Sequence, residues 1–220
     1  MTFSRPRFFP ISLFLFIFLA LTCTRSFAAP PLLDTGVMPS ADAPAPTGQR
    51  YELKLYHLHT GEHLDVVYRI GDTYIPSALD ELNHFLRDHR TEAVKDYDPR
   101  EFDLLHNLLT RLNRPNAVID IVCGYRSPWS NNWLRTRGGT ETPSETGVAE
   151  HSQHMQAKAI DIRVPGVSTR RLDQAALSLH AGGVGYYPVS QFVHVDVGPV
   201  REWSFGATTH HRRHHSRRAA

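Results

Sequence analysis

The stretch "HSQHMQAKAIDIR" (residues 151–163) decides the fold prediction, because it ends as a β-strand that contains a carboxylate. Side chains alternate along a strand, so Ile160 and Ile162 point to one face and Asp161 points to the other. A carboxylate between two isoleucines must either face water or be compensated by a cation. The same stretch also supplies an imidazole, His154, just before the strand begins.

A second strand pattern, "FVHVDVG" (192–198), lies further along the chain. Val193 and Val195 share the predicted core face, whereas His194 and Asp196 share the opposite face. At about 3.3 Å per residue, those two polar residues are roughly 7 Å apart along the strand. Two strands therefore each carry ionisable groups on the side away from the apolar core.

If these two strands are neighbours in one sheet, His154, Asp161 and His194 converge. Two imidazoles and one carboxylate form a suitable zinc site that keeps a fourth position for water. The cation would also compensate the carboxylate on its strand. The alternative is a chance grouping, because the chain has 14 histidines. The helix-borne HExxH pattern of many zinc peptidases is absent, so spacing alone leaves both interpretations open.

The rest of the chain predicts an α+β domain with a small, mostly antiparallel sheet and flanking helices. Alternating runs at 51–60 and 63–70 predict a β-hairpin, and 117–123 predict a strand. Ser77 is the predicted N-cap of the first helix. Apolar periodicity predicts helices over 76–90 and 99–113, and further helices are expected over 127–137 and 168–181. Composition predicts a polar loop over 138–147 and a turn over 182–188.

Residues 1–28 have the pattern of a secretory signal peptide. Arg5 and Arg7 precede an apolar run, Ile11–Cys23, and small residues follow before a cleavage site after Ala28. This run is shorter than the about 20 residues that a membrane span needs. We therefore expect export through the general route, with an uncleaved anchor as the alternative.

The predicted α+β domain, 51–206, lies between two segments of different composition. Residues 29–50 form a Pro/Ala-rich linker, and 207–220 form a His/Arg-rich tail that we expect to be disordered. The tail could bind metal or polyanions, although a solvated tail is the simpler interpretation. After signal cleavage only Cys123 remains, which excludes an internal disulfide.

The distribution of charged residues indicates which binding partners to expect. The net charge is only +2, and many basic residues lie in the tail rather than along a helix with aromatic neighbours, so nucleic-acid binding is not expected. We expect a monomer that contacts the membrane only transiently, during export.

Three motifs resemble those of LAS-type zinc peptidases, the group that includes D-Ala-D-Ala carboxypeptidases and the hedgehog signalling domain. "SQHMQAKAID" (152–161) resembles the S-x-H-x-x-G-x-A-x-D motif. "CGYRSP" (123–128) resembles the G-Y-R-S element, and "GGVGYYPVSQFVHVDVG" (182–198) resembles the closing histidine strand. The likeness extends over roughly 53–203, and the order of the three elements makes it specific.

The resemblance implies roles for individual residues. His154, Asp161 and His194 would bind Zn²⁺. Arg126 would bind a substrate carboxylate through its planar guanidinium. Ser152 would support the loop of the first histidine ligand.

The chain departs from the family pattern at two points. Ala157 replaces the motif glycine. Gln191 and Phe192 occupy the positions where relatives carry a glutamate or histidine base. Asp196 and His151 remain as candidate general bases, and strand geometry favours Asp196. The alternative role of Asp196 is to orient the ring of the neighbouring histidine ligand.

The resemblance implies a zinc-dependent murein endopeptidase that hydrolyses peptide crosslinks of peptidoglycan in the Gram-negative periplasm. The alternatives are a D,D-carboxypeptidase of the same group and a non-catalytic zinc-containing module that binds peptidoglycan. The loop 138–147, Tyr186 and Tyr187 are the predicted walls of the substrate groove. The sequence leaves open which crosslink is cut.

Overall fold

The computed structural model of the protein describes residues 47–139 and 146–206. No helix in these two ranges is long and apolar enough to cross a membrane. The predicted segments that lie wholly or mostly outside the described residues are the signal peptide (1–28), the linker (29–50), the tail (207–220) and much of the polar loop (138–147).

Within the described residues, eight strands form one mixed sheet in the order β3-β2-β1-β4-β5-β7-β6-β8. Five neighbouring pairs are antiparallel, whereas β1–β4 and β6–β8 are parallel. The α+β class is confirmed, and the sheet is larger and more mixed than predicted. The strands are β1 Arg50–His57, β2 His63–Ile70, β3 Thr73–Tyr74, β4 Val118–Cys123, β5 Ala159–Arg163, β6 Gly183–Tyr187, β7 Phe192–Asp196 and β8 Arg201–Ser204.

The parallel pairing of β1 with β4 is one reason why the sheet is larger and more mixed than the predicted one. Parallel neighbours need a long crossover connection, and the chain between β1 and β4 contains two helices. Local alternation cannot show that the chain returns to the edge of its first strand, because the pairing spans this long separation. The four α-helices are α1 Pro76–Phe85, α2 Arg100–Arg111, α3 Pro128–Thr136 and α4 Thr169–Leu177.

The helices confirm the four predicted ones, but their ends differ. The prediction that Ser77 caps α1 was wrong, because Ile75 is the N-cap residue, Pro76 begins the helix and no side chain caps it. Proline suits this first position since it has no N–H to satisfy. Ser127 and Ser168, by contrast, cap α3 and α4 through their hydroxyl oxygens.

One face of the sheet packs against α1, α2 and α4 in a single apolar core. Ile160 and Ile162 of β5 and Val193 and Val195 of β7 are fully buried in it, as predicted. Each such side chain contributes about 1.5–3 kcal/mol by leaving water. This core fixes the two strands so that their polar residues project from the opposite face.

Strands β5 and β7 are antiparallel neighbours, and their register places Asp161 directly opposite His194. The predicted turn over 182–188 was wrong, because strand β6 occupies most of it. Its glycines serve close packing rather than a turn. A Cβ on Gly182, directly before β6, would overlap the backbone oxygen of Asp196, so only glycine fits there.

Candidate active site

His154 is held by a short 3-10 turn, Gln153–Gln156, and is fully buried. Its Nδ1 lies 2.8 Å from the carbonyl oxygen of Gly124. A carbonyl only accepts, so Nδ1 carries the proton and Nε2 has a free lone pair in the neutral ring. Burial, together with the charge of Arg126, lowers the pKa of His154 to about 4 and keeps the ring neutral at physiological pH.

His194 has the opposite ring orientation. Its Nε2 donates to Oδ2 of Asp196 at 3.0 Å, and its Nδ1 lies 2.9 Å from Oδ1 of Asp161. Burial lowers the pKa of His194, but the two carboxylates outweigh burial and raise it above its usual value. His154 and His194 hold the pKa of Asp161 well below its usual range, although burial acts in the other direction.

The inner atoms of these three residues form a tight triangle. His154 Nε2 lies 3.2 Å from Asp161 Oδ1 and 3.0 Å from His194 Nδ1. Ligand atoms about 2.0–2.1 Å from a tetrahedral zinc ion lie about 3.3 Å apart. Lone pairs at this spacing repel one another unless a positive charge, either a proton on His194 or a metal ion, lies among them. The residues therefore fit a divalent metal ion without a backbone shift, as the predicted convergence requires.

Cys123 is a neighbour of this triangle that sequence reasoning did not assign to the site. Its sulfur, His154 and Asp161 have potential ligand atoms within 4.8 Å of one another. Burial raises the pKa of the Cys123 thiol to about 11, which disfavours the thiolate that binds metal. The only sequence signal was its position beside the G-Y-R-S element.

Asp196 is fully buried and surrounded by donors. Besides His194, it accepts from the backbone N–H of Gly183 (3.0 Å) and Gly198 (2.8 Å) and from Arg201 Nη2 (2.7 Å). Burial raises its pKa, but these hydrogen bonds outweigh burial and lower the pKa to about 2. The contacts favour the orienting role among the two roles predicted for Asp196.

Arg126 and His151 lie above the triangle, on the wall of the same cavity. His151 is exposed, whereas Arg126 is 8% exposed. Arg126 Nη2 donates to Ser152 Oγ at 3.1 Å, and its Nε is buried without a hydrogen-bond partner among the described residues. Ser152 also accepts from the backbone N–H of His154, so it supports the loop as predicted.

The cavity has a volume of about 530 Å³ and includes Asp161 and His194 in its floor. Of the predicted walls, Tyr187 and the end of the polar loop line it. Trp203 was missed, although its ring centroid lies 5.0 Å from that of His194 and its Nε1 donates to the Tyr187 hydroxyl at 3.0 Å. Other lining residues are Arg126, His151, Phe192 and Arg201.

A family model described as peptidoglycan L,D-endopeptidase MepK matches residues 45–203, a range that contains every residue of this site. The chain belongs to this family. The MepK family is part of the LAS-type peptidase group, so the resemblance found in the sequence is confirmed.

Two curated relatives show the same similarity. The peptidoglycan L,D-endopeptidase MepK of Escherichia coli K12 is 43% identical over 151 residues, which are 69% of this chain and 79% of the relative. A probable peptidoglycan L,D-endopeptidase MepK of Haemophilus influenzae is 42% identical over 151 residues, 69% of this chain and 77% of the relative. No solved structure matches the chain.

Proposed function

We propose that this protein is a zinc-dependent peptidoglycan L,D-endopeptidase that acts in the periplasm after export. The observation that carries the proposal is the triangle of His154, Asp161 and His194 atoms, 2.9–3.2 Å apart, beneath a cavity in a chain of the MepK family. The L,D specificity is taken from the names of the relatives, and it supplies the crosslink type that the sequence left open.

The proposed zinc ligands are His154 through Nε2, His194 through Nδ1 and Asp161 through Oδ1. In the neutral ring of each histidine, the hydrogen bond from the outer nitrogen to Gly124 or Asp196 directs the lone pair of the inner nitrogen toward the proposed metal. When bound, zinc supplies a Lewis acid that polarises the scissile carbonyl and lowers the pKa of water toward about 7.

Arg126 is proposed to bind a carboxylate of the stem peptide. No carboxylate of the described residues forms an ion pair with it, and its Nε has no partner there. A guanidinium offers a rigid pair of donors that matches a carboxylate. Binding at this wall would hold the scissile peptide above the metal triangle, with Trp203 and Tyr187 as apolar contacts.

His151 is proposed as the general base and Asp196 as the residue that orients His194. An imidazole on the cavity wall can reach water and substrate, as a base must. Asp196 is buried and accepts hydrogen bonds from several donors, so it has no access to the cavity. Both assignments follow from position and hydrogen bonding.

A digest of L,D-crosslinked muropeptides by the purified protein tests the function. We expect the zinc-loaded protein to convert crosslinked dimers to monomers, a chelator to stop this and added zinc to restore it. His154→Ala should be inactive, whereas His84→Ala, which removes an exposed histidine of α1, should match the wild type. Unchanged dimers in the zinc-loaded sample would contradict the proposal.

The same digest separates the two alternatives. A D,D-carboxypeptidase would release terminal D-alanine and leave the crosslinks intact. A non-catalytic module would bind zinc and peptidoglycan without any change in the muropeptides. No observation on the described residues favours either alternative over the endopeptidase.

A further inference from the structure

Two tryptophans on helix α3 are exposed to solvent. Trp129 is 60% exposed and Trp133 is 43% exposed. They are four residues apart, so their side chains lie on the same face of the helix. Exposed aromatic surface of this size indicates a binding site more often than it occurs by chance.

The surface continues through polar and aromatic groups. The Arg90 guanidinium carbon lies 5.6 Å from the centroid of the Trp133 ring. Next to Arg90, the rings of His59 and His89 stack with centroids 4.2 Å apart and an interplanar angle of 13°. Tryptophan and arginine are enriched at recognition surfaces, and here flat apolar rings lie beside hydrogen-bonding groups.

Helix α3 is fixed to the rim of the active-site cavity. It begins directly after Arg126, and its capping residue Ser127 donates its backbone N–H to Asp88 at 2.8 Å. On its buried side, Asn131 Nδ2 donates to the carbonyl oxygen of Ala149 at 3.0 Å, and Ala149 lines the cavity. The tryptophan face is therefore on the opposite side of α3 from Ala149, about one helix diameter of 10–12 Å away. An extended peptide of four residues, at about 3.3–3.6 Å per residue, spans that distance.

We propose that Trp129 and Trp133 form a glycan subsite that binds the sugar strand of peptidoglycan while the cavity holds the peptide crosslink. The inference rests on the proposed function, because it assumes that this polymer is the substrate. The C–H faces of pyranose rings are apolar and stack on indole rings. Sugar hydroxyl groups then meet the donors of Arg90 and the neighbouring histidines.

Binding of peptide-free glycan strands, measured by co-sedimentation and by tryptophan fluorescence, tests the subsite directly. We expect the double variant Trp129→Ala/Trp133→Ala to bind these strands roughly tenfold more weakly than the wild type, or worse. The variant Trp129→Phe/Trp133→Phe keeps flat rings and should recover much of the affinity in the sedimentation assay. Val118→Ala, an exposed apolar residue at the far end of β4, is the control and should bind normally.

Hydrolysis separates this inference from the proposed function. The double alanine variant should cut intact sacculi slowly but cut glycan-free crosslinked peptide at the wild-type rate. Equal binding of glycan strands by variant and wild type would overturn the subsite. An equal loss on both substrates would also overturn it, because α3 would then only shape the cavity. A wild type that binds glycan through these residues but cuts no crosslink would support the subsite and contradict the endopeptidase.

Discussion

In the neutral form of each histidine, a proton on the outer nitrogen leaves the lone pair of the inner nitrogen available to the proposed metal ion. His154 donates this N–H to the carbonyl oxygen of Gly124, and His194 donates it to the carboxylate of Asp196. The two acceptors differ in an important way. The carbonyl is part of the backbone, whereas the carboxylate depends on Arg201 and two backbone N–H groups for its position.

Asp196→Ala should therefore weaken zinc binding. Loss of the carboxylate frees the His194 ring to rotate, and the loss of such an outer partner costs about 10–100-fold in metal affinity. Zinc affinity measured by competition with a chromogenic chelator checks this. His151→Ala is the matched comparison, since it should keep the zinc affinity and lose about 10²–10⁴-fold in turnover.

The reverse result would exchange the two roles. If Asp196→Ala kept full zinc affinity and lost only turnover, Asp196 would be the base. If His151→Ala also kept its turnover, the base would have to be sought elsewhere in the cavity.

The sequence predicted the convergence of the proposed ligands better than the hydrogen bonds that support them. Alternation along β5 and β7 placed Asp161 and His194 on the polar face, and the register then brought them together. The number of hydrogen bonds that Asp196 accepts was not predictable from the sequence. Two of the donors, Gly183 and Arg201, belong to other strands, so these hydrogen bonds depend on the tertiary fold.

Among the secondary-structure elements, the junction of α1 and α3 depends on one buried carboxylate. Asp88 accepts from the backbone N–H of Ser127 at 2.8 Å and of Arg90 at 3.0 Å. Burial raises the pKa of Asp88, but its hydrogen bonds, above all those with Ser127, outweigh burial and lower the pKa to about 2. The ionised form therefore stabilises the contact between the segment that follows α1 and the start of α3.

This shift predicts an acid-dependent loss of stability. Because the folded pKa is below the unfolded one, the contribution is complete above about pH 4 and is lost as the pH falls toward 2. The contribution is about 2 kcal/mol at most. Free energies of unfolding between pH 5 and pH 2 should fall more steeply in the wild type than in Asp88→Asn. Asp80→Asn, at an exposed position on α1, should keep the wild-type slope; parallel slopes for all three proteins would refute the assignment.

The start of strand β6 gives a second prediction for an element. A Cβ at Gly182 would meet the backbone of β7, which cannot move without breaking the sheet. Gly182→Ala should cost more than about 3 kcal/mol of unfolding free energy, measured by urea denaturation. Gly61→Ala is the comparison, because φ is +75° there but no atom lies within 4 Å, so only backbone strain of about 1–2 kcal/mol applies. Similar losses in both variants would contradict the packing argument.

These elements also show where local signals fail. The glycines at 182–185 resemble a turn in the sequence, but they form a strand start because Asp196, Arg201 and Trp203 occupy the space of their missing side chains. Apolar periodicity was reliable for α1 and α2, since an apolar stripe is a property of the segment itself. Helix ends and close backbone approaches depend on residues that are distant in the sequence, so the sequence did not predict them reliably.

Across the whole domain, the site lies near the middle of the sheet. Strands β5 and β7 are the fifth and sixth of eight in order, and their other face is closed by the helical core. The three proposed ligands come from a 3-10 turn and two strands that meet only in the folded chain. Zinc should consequently bind the native state far better than the unfolded one.

This coupling predicts that zinc stabilises the protein. At free zinc of 100 times the dissociation constant the gain is about 2.7 kcal/mol, which raises the Tm of a domain of this size by roughly 5–10 °C. Thermal melts with zinc and with a chelator measure the shift. His154→Ala should remove most of it, because two ligands cannot hold the ion as tightly as three, whereas His84→Ala should leave it intact. If His154→Ala kept the full zinc-dependent rise in Tm, zinc would stabilise the protein through other histidines. That result would contradict the assignment of the metal to His154, Asp161 and His194.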